Sequence, residues 1–196
     1  MMARKPLVLA SASPRRREIL TLAGIPFTVC PSAHEWAPEG LPANERVLAL
    51  ARSKAEDVAV GQPNNLILGA DTMVVLGDRI FGKPHSEAEA VDMLLALQGR
   101  EHQVMTGVWI MRTDAAGNTV KADGFTDVAM VQFYPMTRQE AESYVSTGEP
   151  MDKAGAYAIQ GLGMRYVASL SGDFYTVMGL PGGRLIRFLS EFAPDW

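Results

Sequence analysis

Residues 65–77, NLILGADTMVVLG, are apolar or glycine at every position except Asn65, Asp71 and Thr72. Polar residues would recur with a period near 3.6 in an amphipathic helix and near 2 in a half-exposed strand. A run without either period reads as a central strand covered on both faces. Such a strand needs helices above and below it, which constrains the chain to an α/β fold. The flanking segments fit that plan. PLVLAS (6–11) and FTVCPS (27–32) read as short strands. SPRRREILTLAG (13–24) reads as a helix with Ser13 at its N-cap, Pro14 at its first position and Gly24 past its end. PANERVLALARSKAEDVAV (42–60) is a longer helix. Two more helices are marked by capping boxes, Ser86 with Glu89 and Thr137 with Glu140, and are closed by Gly99 and Gly148. Between them, 102–113 and 119–134 flank DAAGN as a long hairpin with an Ala-Gly-Asn turn, and GGRLIRFLSEF (182–192) is a final helix. No repeat or linker interrupts the order. The expectation is a mixed, bent central sheet flanked by helices, in two lobes around a cleft.

Composition narrows the function. With 47% apolar residues in 196, the chain can bury a full core, and a net charge of -4 argues against the broad basic face that a nucleic-acid polymer requires. A small phosphorylated ligand remains compatible with that charge. The single cysteine, Cys30, excludes an internal disulfide and is read as a small packed side chain. Arg4 and Lys5 followed by LVLA and SAS imitate a secretory signal, but the apolar run is too short for one. No apolar stretch is long enough to span a bilayer as a helix, so a cytoplasmic protein with no membrane partner is expected.

Candidate site residues are those that break their local pattern. On the helix near residues 44–60, Val47, Leu50, Ala51 and Val58 share one face at 100° per residue, and Lys54 falls inside it. A lysine there either snorkels its amine to the edge or meets an anion. Asp71 interrupts the apolar strand, so its carboxylate must be paired, metal-bound or protonated. If its charge were isolated, Asp71→Asn would stabilise the fold. GDRIFGKP (77–84) approaches a Walker A loop but ends in Pro84 where Ser or Thr is required. What survives there is Lys83 on a stiff turn. GLGMRY lacks the third glycine of a dinucleotide fingerprint. EPMDKAGAYAIQGLG (149–163) carries Asp152, Lys153 and Gln160 among small residues that permit close backbone approach to a ligand. Finally, Arg15, Arg16 and Arg17 open a helix directly after a strand, where free N–H groups and the helix dipole suit a phosphate. They cannot all face one spot, so one or two should bind and another be solvated.

SASPRRREIL, ARSKA, GADTMV, FGKP and DKAGAYAIQG, in this order, closely resemble the Maf family of nucleotide pyrophosphatases. The resemblance spans essentially the whole chain and implies one Maf-like domain over 1–196. The implied fold is similar to that of the inosine triphosphate pyrophosphatases. The implied reaction is hydrolysis of a nucleoside triphosphate between its α- and β-phosphates, with a divalent cation, magnesium by expectation. Matched by position, Asp71 corresponds to the acid-base residue, and Arg15, Thr72 and Gln160 to specificity positions. Lys54 and Lys83 correspond to phosphate contacts, and Ser13 is counted with the substrate-binding residues. Glu35, with Asp71, corresponds to the metal-binding acids, although His34 and Trp36 beside it depart from the family pattern. Ala158 stands where relatives often carry glycine. The DKAGAY-IQG block resembles the dTTP/UTP-type subgroup. A glutamine amide can meet thymine, uracil or, flipped, cytosine, so the base preference rests on the resemblance.

The expected role is house-cleaning of dTTP, UTP or modified pyrimidine nucleotides. A homodimer is compatible with the resemblance. The rival readings are a nucleotide-binding regulator of cell division without turnover, and a phosphatase that would release orthophosphate.

Overall fold

The structure, a computed structural model, describes residues 6–196. Arg4 and Lys5 lie outside the described residues. The elements follow in the order β1 (Leu7–Leu9), α1 (Pro14–Leu22), β2 (Phe27–Val29), α2 (Ala43–Ala59), β3 (Leu66–Leu76), β4 (Arg79–Phe81), α3 (Glu87–Leu97), β5 (Glu101–Thr113), β6 (Thr119–Phe133) and α4 (Arg138–Val145). Three single turns of 3-10 helix cover most of 149–166 and lead to β7 (Val167–Ser171), α5 (Phe174–Met178) and α6 (Gly182–Phe192). Among the described residues the strands form one mixed sheet in the order β2-β1-β3-β5-β6-β7, with β4 paired to β3. The β1 strand is parallel to both β2 and β3, whereas β4 on β3 and β7 on β6 are antiparallel. The α/β fold with a mixed sheet is therefore as the sequence implies.

The chain divides into two compact units, the first made of residues up to Asp71 with Thr106–Asp127 and Gly179–Trp196, the second of Thr72–Met105 and Val128–Met178. Each has its own core. In the first, Val8, Ala10, Ala55, Val58, Ala59, Ile67 and Met111 pack together with Cys30 against them, as the packed reading of that thiol expects. In the second, α3 and α4 bury Leu94, Leu97, Ala141 and Val145 with Phe133 and Tyr157. No helix among the described residues is long and apolar enough to cross a membrane.

Local chemistry explains most boundaries. At α4 the capping box is complete, with Thr137 and Glu140 bonded reciprocally. At α3 the Ser86 hydroxyl accepts from the Glu89 N–H, but the Glu89 carboxylate takes the backbone N–H and imidazole of His85 instead of returning to Ser86. Ser13 occupies the N-cap of α1 without a side-chain cap bond. The turn at 114–118 is held by Asp114, whose carboxylate accepts from the N–H groups of Ala116 and Asn118. GDRIFGKP differs from the simple turn read in the sequence, because Arg79–Phe81 pairs with Val74–Leu76 as a hairpin and Lys83 follows it.

Candidate active site

The α2 helix lies against bare backbone. A Cβ placed on Gly69 of β3 would sit 2.0 Å from the Ala51 carbonyl oxygen, and one on Gly107 of β5 would sit 2.5 Å from that of Val47. Only glycine allows this approach. Side chains two residues apart on a strand share a face, so Asp71 lies on the face of β3 that Gly69 opens to α2. Lys54 is three residues beyond Ala51, on the buried side of that helix.

The two charges consequently meet. The Lys54 ammonium donates to Asp71 Oδ1 at 2.6 Å and reaches Glu35 Oε1 at 2.9 Å. The side chains of Lys54 and Asp71 are 9% and 16% exposed, whereas that of Glu35 is 63% exposed, so the cluster has a dry end and a wet end. Of the two readings of Lys54, the meeting with an anion holds. Asp71 is the paired carboxylate that its apolar strand required. The loop carrying Glu35 is fastened to the same helix. Asp57 accepts from the Ser32 hydroxyl and the Ala33 N–H, and Ser53 accepts from the Trp36 N–H. The Ser32 hydroxyl holds the Asp57 carboxyl below its ordinary value against an opposing effect of desolvation, with the Ala33 N–H and His34 adding to the lowering.

The arginine run divides by burial. Arg16 is 8% exposed, and it donates through Nε to the Gly179 carbonyl and through Nη1 to the Ser11 hydroxyl, both at 2.9 Å. Ser11 also accepts from the backbone N–H of Ser13 at 3.2 Å. Burial pulls the Arg16 guanidinium below its ordinary value and Arg15 adds to that, while Asp71 and Glu35 pull the other way. Arg16 thus feels the same two carboxylates as Lys54 while bracing the loop after β1. Arg15 is half-buried, and Arg17 is exposed and spans only to the Ala12 carbonyl. The pattern reading of the run did not single out Arg16 as its packed member. Ile19 and Leu20, three and four residues on, are the signal that places it on the packed face of α1.

The first unit therefore gathers Asp71 and Glu35 onto Lys54, with Ser13 and Arg15 at the start of α1. Thr72, Lys83 and Gln160 belong to the second unit. There Thr72 is half-buried on β3 directly after Asp71, Lys83 is exposed after β4, and Gln160 is exposed between Ala158 and Leu162. Lys153 is held by the Glu149 carbonyl and the Asp152 carboxylate, both at 2.6 Å.

The donor set suits a hard divalent cation. Magnesium is typically held by one or two carboxylates together with substrate phosphate oxygens, and Asp71 and Glu35 are two carboxylates drawn to one point by Lys54. Among the described residues no group of three or more His, Cys, Asp or Glu could hold a metal ion, so phosphate oxygens would have to complete the coordination.

The profile of the family described as Maf-like protein matches residues 6–192. A protein of Halalkalibacterium halodurans named dTTP/UTP pyrophosphatase is 47% identical over 186 residues, covering 94% of this chain and 95% of that protein. One of Symbiobacterium thermophilum with the same name is 47% identical over 188 residues, covering 95% of this chain and 94% of that one. Among solved structures, the Staphylococcus aureus Ham1 protein aligns with a TM-score of 0.46 at 15% identity, over 66% of this chain and 72% of that one. With the family profile spanning both units and relatives matching end to end at such identity, the chain belongs to the Maf family.

Proposed function

We propose that the chain is a nucleoside triphosphate pyrophosphatase that hydrolyses dTTP and UTP to the monophosphate and pyrophosphate. The observation that carries this reading is the likeness, at 47% identity over nearly the full length, to proteins named dTTP/UTP pyrophosphatase. The carboxylate pair gathered by Lys54 supports it chemically. Residues 1–196 act as one Maf-like domain, in the cytoplasm, removing surplus or non-standard pyrimidine nucleotides, and a homodimer is compatible with this.

In the reaction a water oxygen attacks the α-phosphorus, the bond from that phosphorus to the α-β bridging oxygen breaks, and pyrophosphate leaves with the electron pair. Asp71 orients that water and accepts its proton. Lys54 has three N–H donors, of which Asp71 and Glu35 engage two, so one remains for a phosphate oxygen. Arg15 and Lys83 hold further phosphate oxygens, and Ser13 binds at the start of α1. Thr72 and Gln160 contact the nucleoside. Asp71 and Glu35 would hold a divalent cation, magnesium by expectation, which would supply Lewis-acid neutralisation of phosphate charge. Most of the acceleration comes from positioning and from fixed charge.

The test is incubation of the purified protein with a panel of nucleoside triphosphates, including modified pyrimidines, and chromatographic separation of products. The reading requires monophosphate and pyrophosphate in equal amounts, dTTP and UTP leading the panel, and loss of turnover on chelation with recovery on adding magnesium. Orthophosphate as the first product would replace this reading with a phosphatase. Saturable binding without turnover would replace it with a regulator, which the relatives' names do not favour.

A further inference from the structure

Both carboxylate oxygens of Glu149 are hydrogen-bonded to the segment around Gln160. Its Oε2 accepts from the Leu162 N–H at 2.9 Å, and its Oε1 accepts from the Gly163 N–H at 3.0 Å and from the Tyr144 hydroxyl at 2.7 Å. The Tyr144 oxygen in turn accepts from the Ala158 N–H at 3.1 Å. One carboxylate and one phenol thereby fix the backbone two residues before Gln160 and two residues after it. Gly161 has a φ of 102°, and a Cβ there would lie 2.7 Å from Glu149 Oε2, so glycine is what lets the carboxylate come this close. Burial pushes the Glu149 carboxyl up, but the donors from Leu162, Tyr144 and Gly163 with the charge of Lys153 outweigh it and leave it below the ordinary range. The group is an acceptor on both oxygens.

We propose that Glu149, relayed through Tyr144, is a positioning residue for base selectivity: it holds the 158–163 loop so that the Gln160 amide is presented in one orientation. An amide fixed in this way meets the base edge without first losing loop entropy, and discriminates best when it cannot shift to suit another base. The inference rests on the reading of Gln160 as a nucleoside contact.

Five proteins test it: the wild type, Glu149→Gln, Gln160→Ala, the double variant, and Tyr144→Phe as a milder second probe. Glu149→Gln keeps the size but turns an NH2 group toward an N–H or O–H donor. The kcat/KM is measured for dTTP, UTP, CTP and purine triphosphates. The expected result is a roughly tenfold narrowing of the preference for dTTP and UTP in Glu149→Gln, a smaller narrowing in Tyr144→Phe, and no further narrowing when Glu149→Gln is added to Gln160→Ala. Trypsin cleavage after Lys153 or Arg165 should also quicken in Glu149→Gln. If Gln160→Ala narrows the preference and Glu149→Gln does not, or if the two effects add, the positioning role is overturned while Gln160 keeps its place. If Gln160→Ala leaves the ranking intact, both the base contact and its support by Glu149 are wrong. If the wild type releases no pyrophosphate, the proposed activity fails, and an unchanged cleavage rate would then independently overturn the claim that Glu149 holds the loop.

Discussion

Lys54 sits between two carboxylates, and the stability and the chemistry of Asp71 are tied together through it. Asp71→Asn retains the shape and one oxygen that Lys54 can donate to, but leaves the ammonium with the exposed Glu35 as its only full counter-charge in this trio. The expected loss is about 1–3 kcal/mol of stability, since breaking one side of a buried pair strands the other charge. An isolated carboxylate would have behaved oppositely, so a urea titration of this variant separates the two pictures. Turnover should fall roughly a hundredfold or more when the base is lost, with nucleotide binding largely kept. The arginine run gives a second residue-scale test. Arg15→Ala should raise KM and lower kcat, and Arg17→Ala should change little. Arg16→Ala should lower stability by about 2–4 kcal/mol, because the Gly179 carbonyl and the Ser11 hydroxyl both lose their guanidinium donor. Equal kinetic losses with unchanged melting in all three would reject this division. Lys54 and Asp71 were legible in the sequence because each violates a periodic pattern. Glu149 was not, since its partners are backbone N–H groups whose direction no pattern of side chains encodes.

The placement of α2 against β3 decides whether those residues can meet at all. Gly69 is the contact point, with the Ala51 carbonyl 2.0 Å from where a Cβ would stand. That obstacle is helix backbone and cannot rotate away. Gly69→Ala must therefore push α2 off the sheet, costing at least the roughly 1–3 kcal/mol of ordinary overpacking. The same displacement lengthens the Lys54 to Asp71 contact, so activity should fall even though neither side chain is altered. Melting and turnover measured on one preparation check this, and unchanged values for both would show that helix and strand are not in such contact. At this scale the long elements were readable, because β3 has no helical period and the capping residues mark α3 and α4. The β4, β7 and α5 elements span 3, 5 and 5 residues and carry too few positions for a period to emerge. What fixes β4 is its pairing with Val74–Leu76, a non-local fact.

Across the whole molecule the sheet is continuous in strand order, yet β3, β5 and β6 each contribute residues to both units, so each core depends on different stretches of the same strands. The core of the second unit contains a titratable group. His102 on β5 is 1% exposed, its Nε2 lies 2.8 Å from the Tyr157 hydroxyl, and its ring meets Phe133 and Tyr157 edge-on at 4.9 and 5.4 Å. Burial lowers its pKa from 6.5 to about 4, with the Arg100 carbonyl opposing slightly. Above pH 6.5 the imidazole is neutral in both folded and unfolded chains and adds no pH dependence. As pH falls below 6.5, the unfolded chain takes up a proton that the folded chain refuses until about pH 4, so stability declines across that window. The shift corresponds to roughly 3 kcal/mol. Asp57 and Glu149, whose carboxyls are held below their ordinary 3.8 and 4.5, contribute stability above those values that is lost as pH falls below them, so their window lies lower. Urea unfolding at intervals from pH 7 to 4 should therefore show a decline beginning well above the carboxylate range. His102→Gln, which can still hydrogen-bond the Tyr157 hydroxyl, should start less stable at pH 7 but run flatter down to about pH 4.5. If wild type and variant decline in parallel, His102 takes up its proton freely in the folded protein and is not sealed in this core.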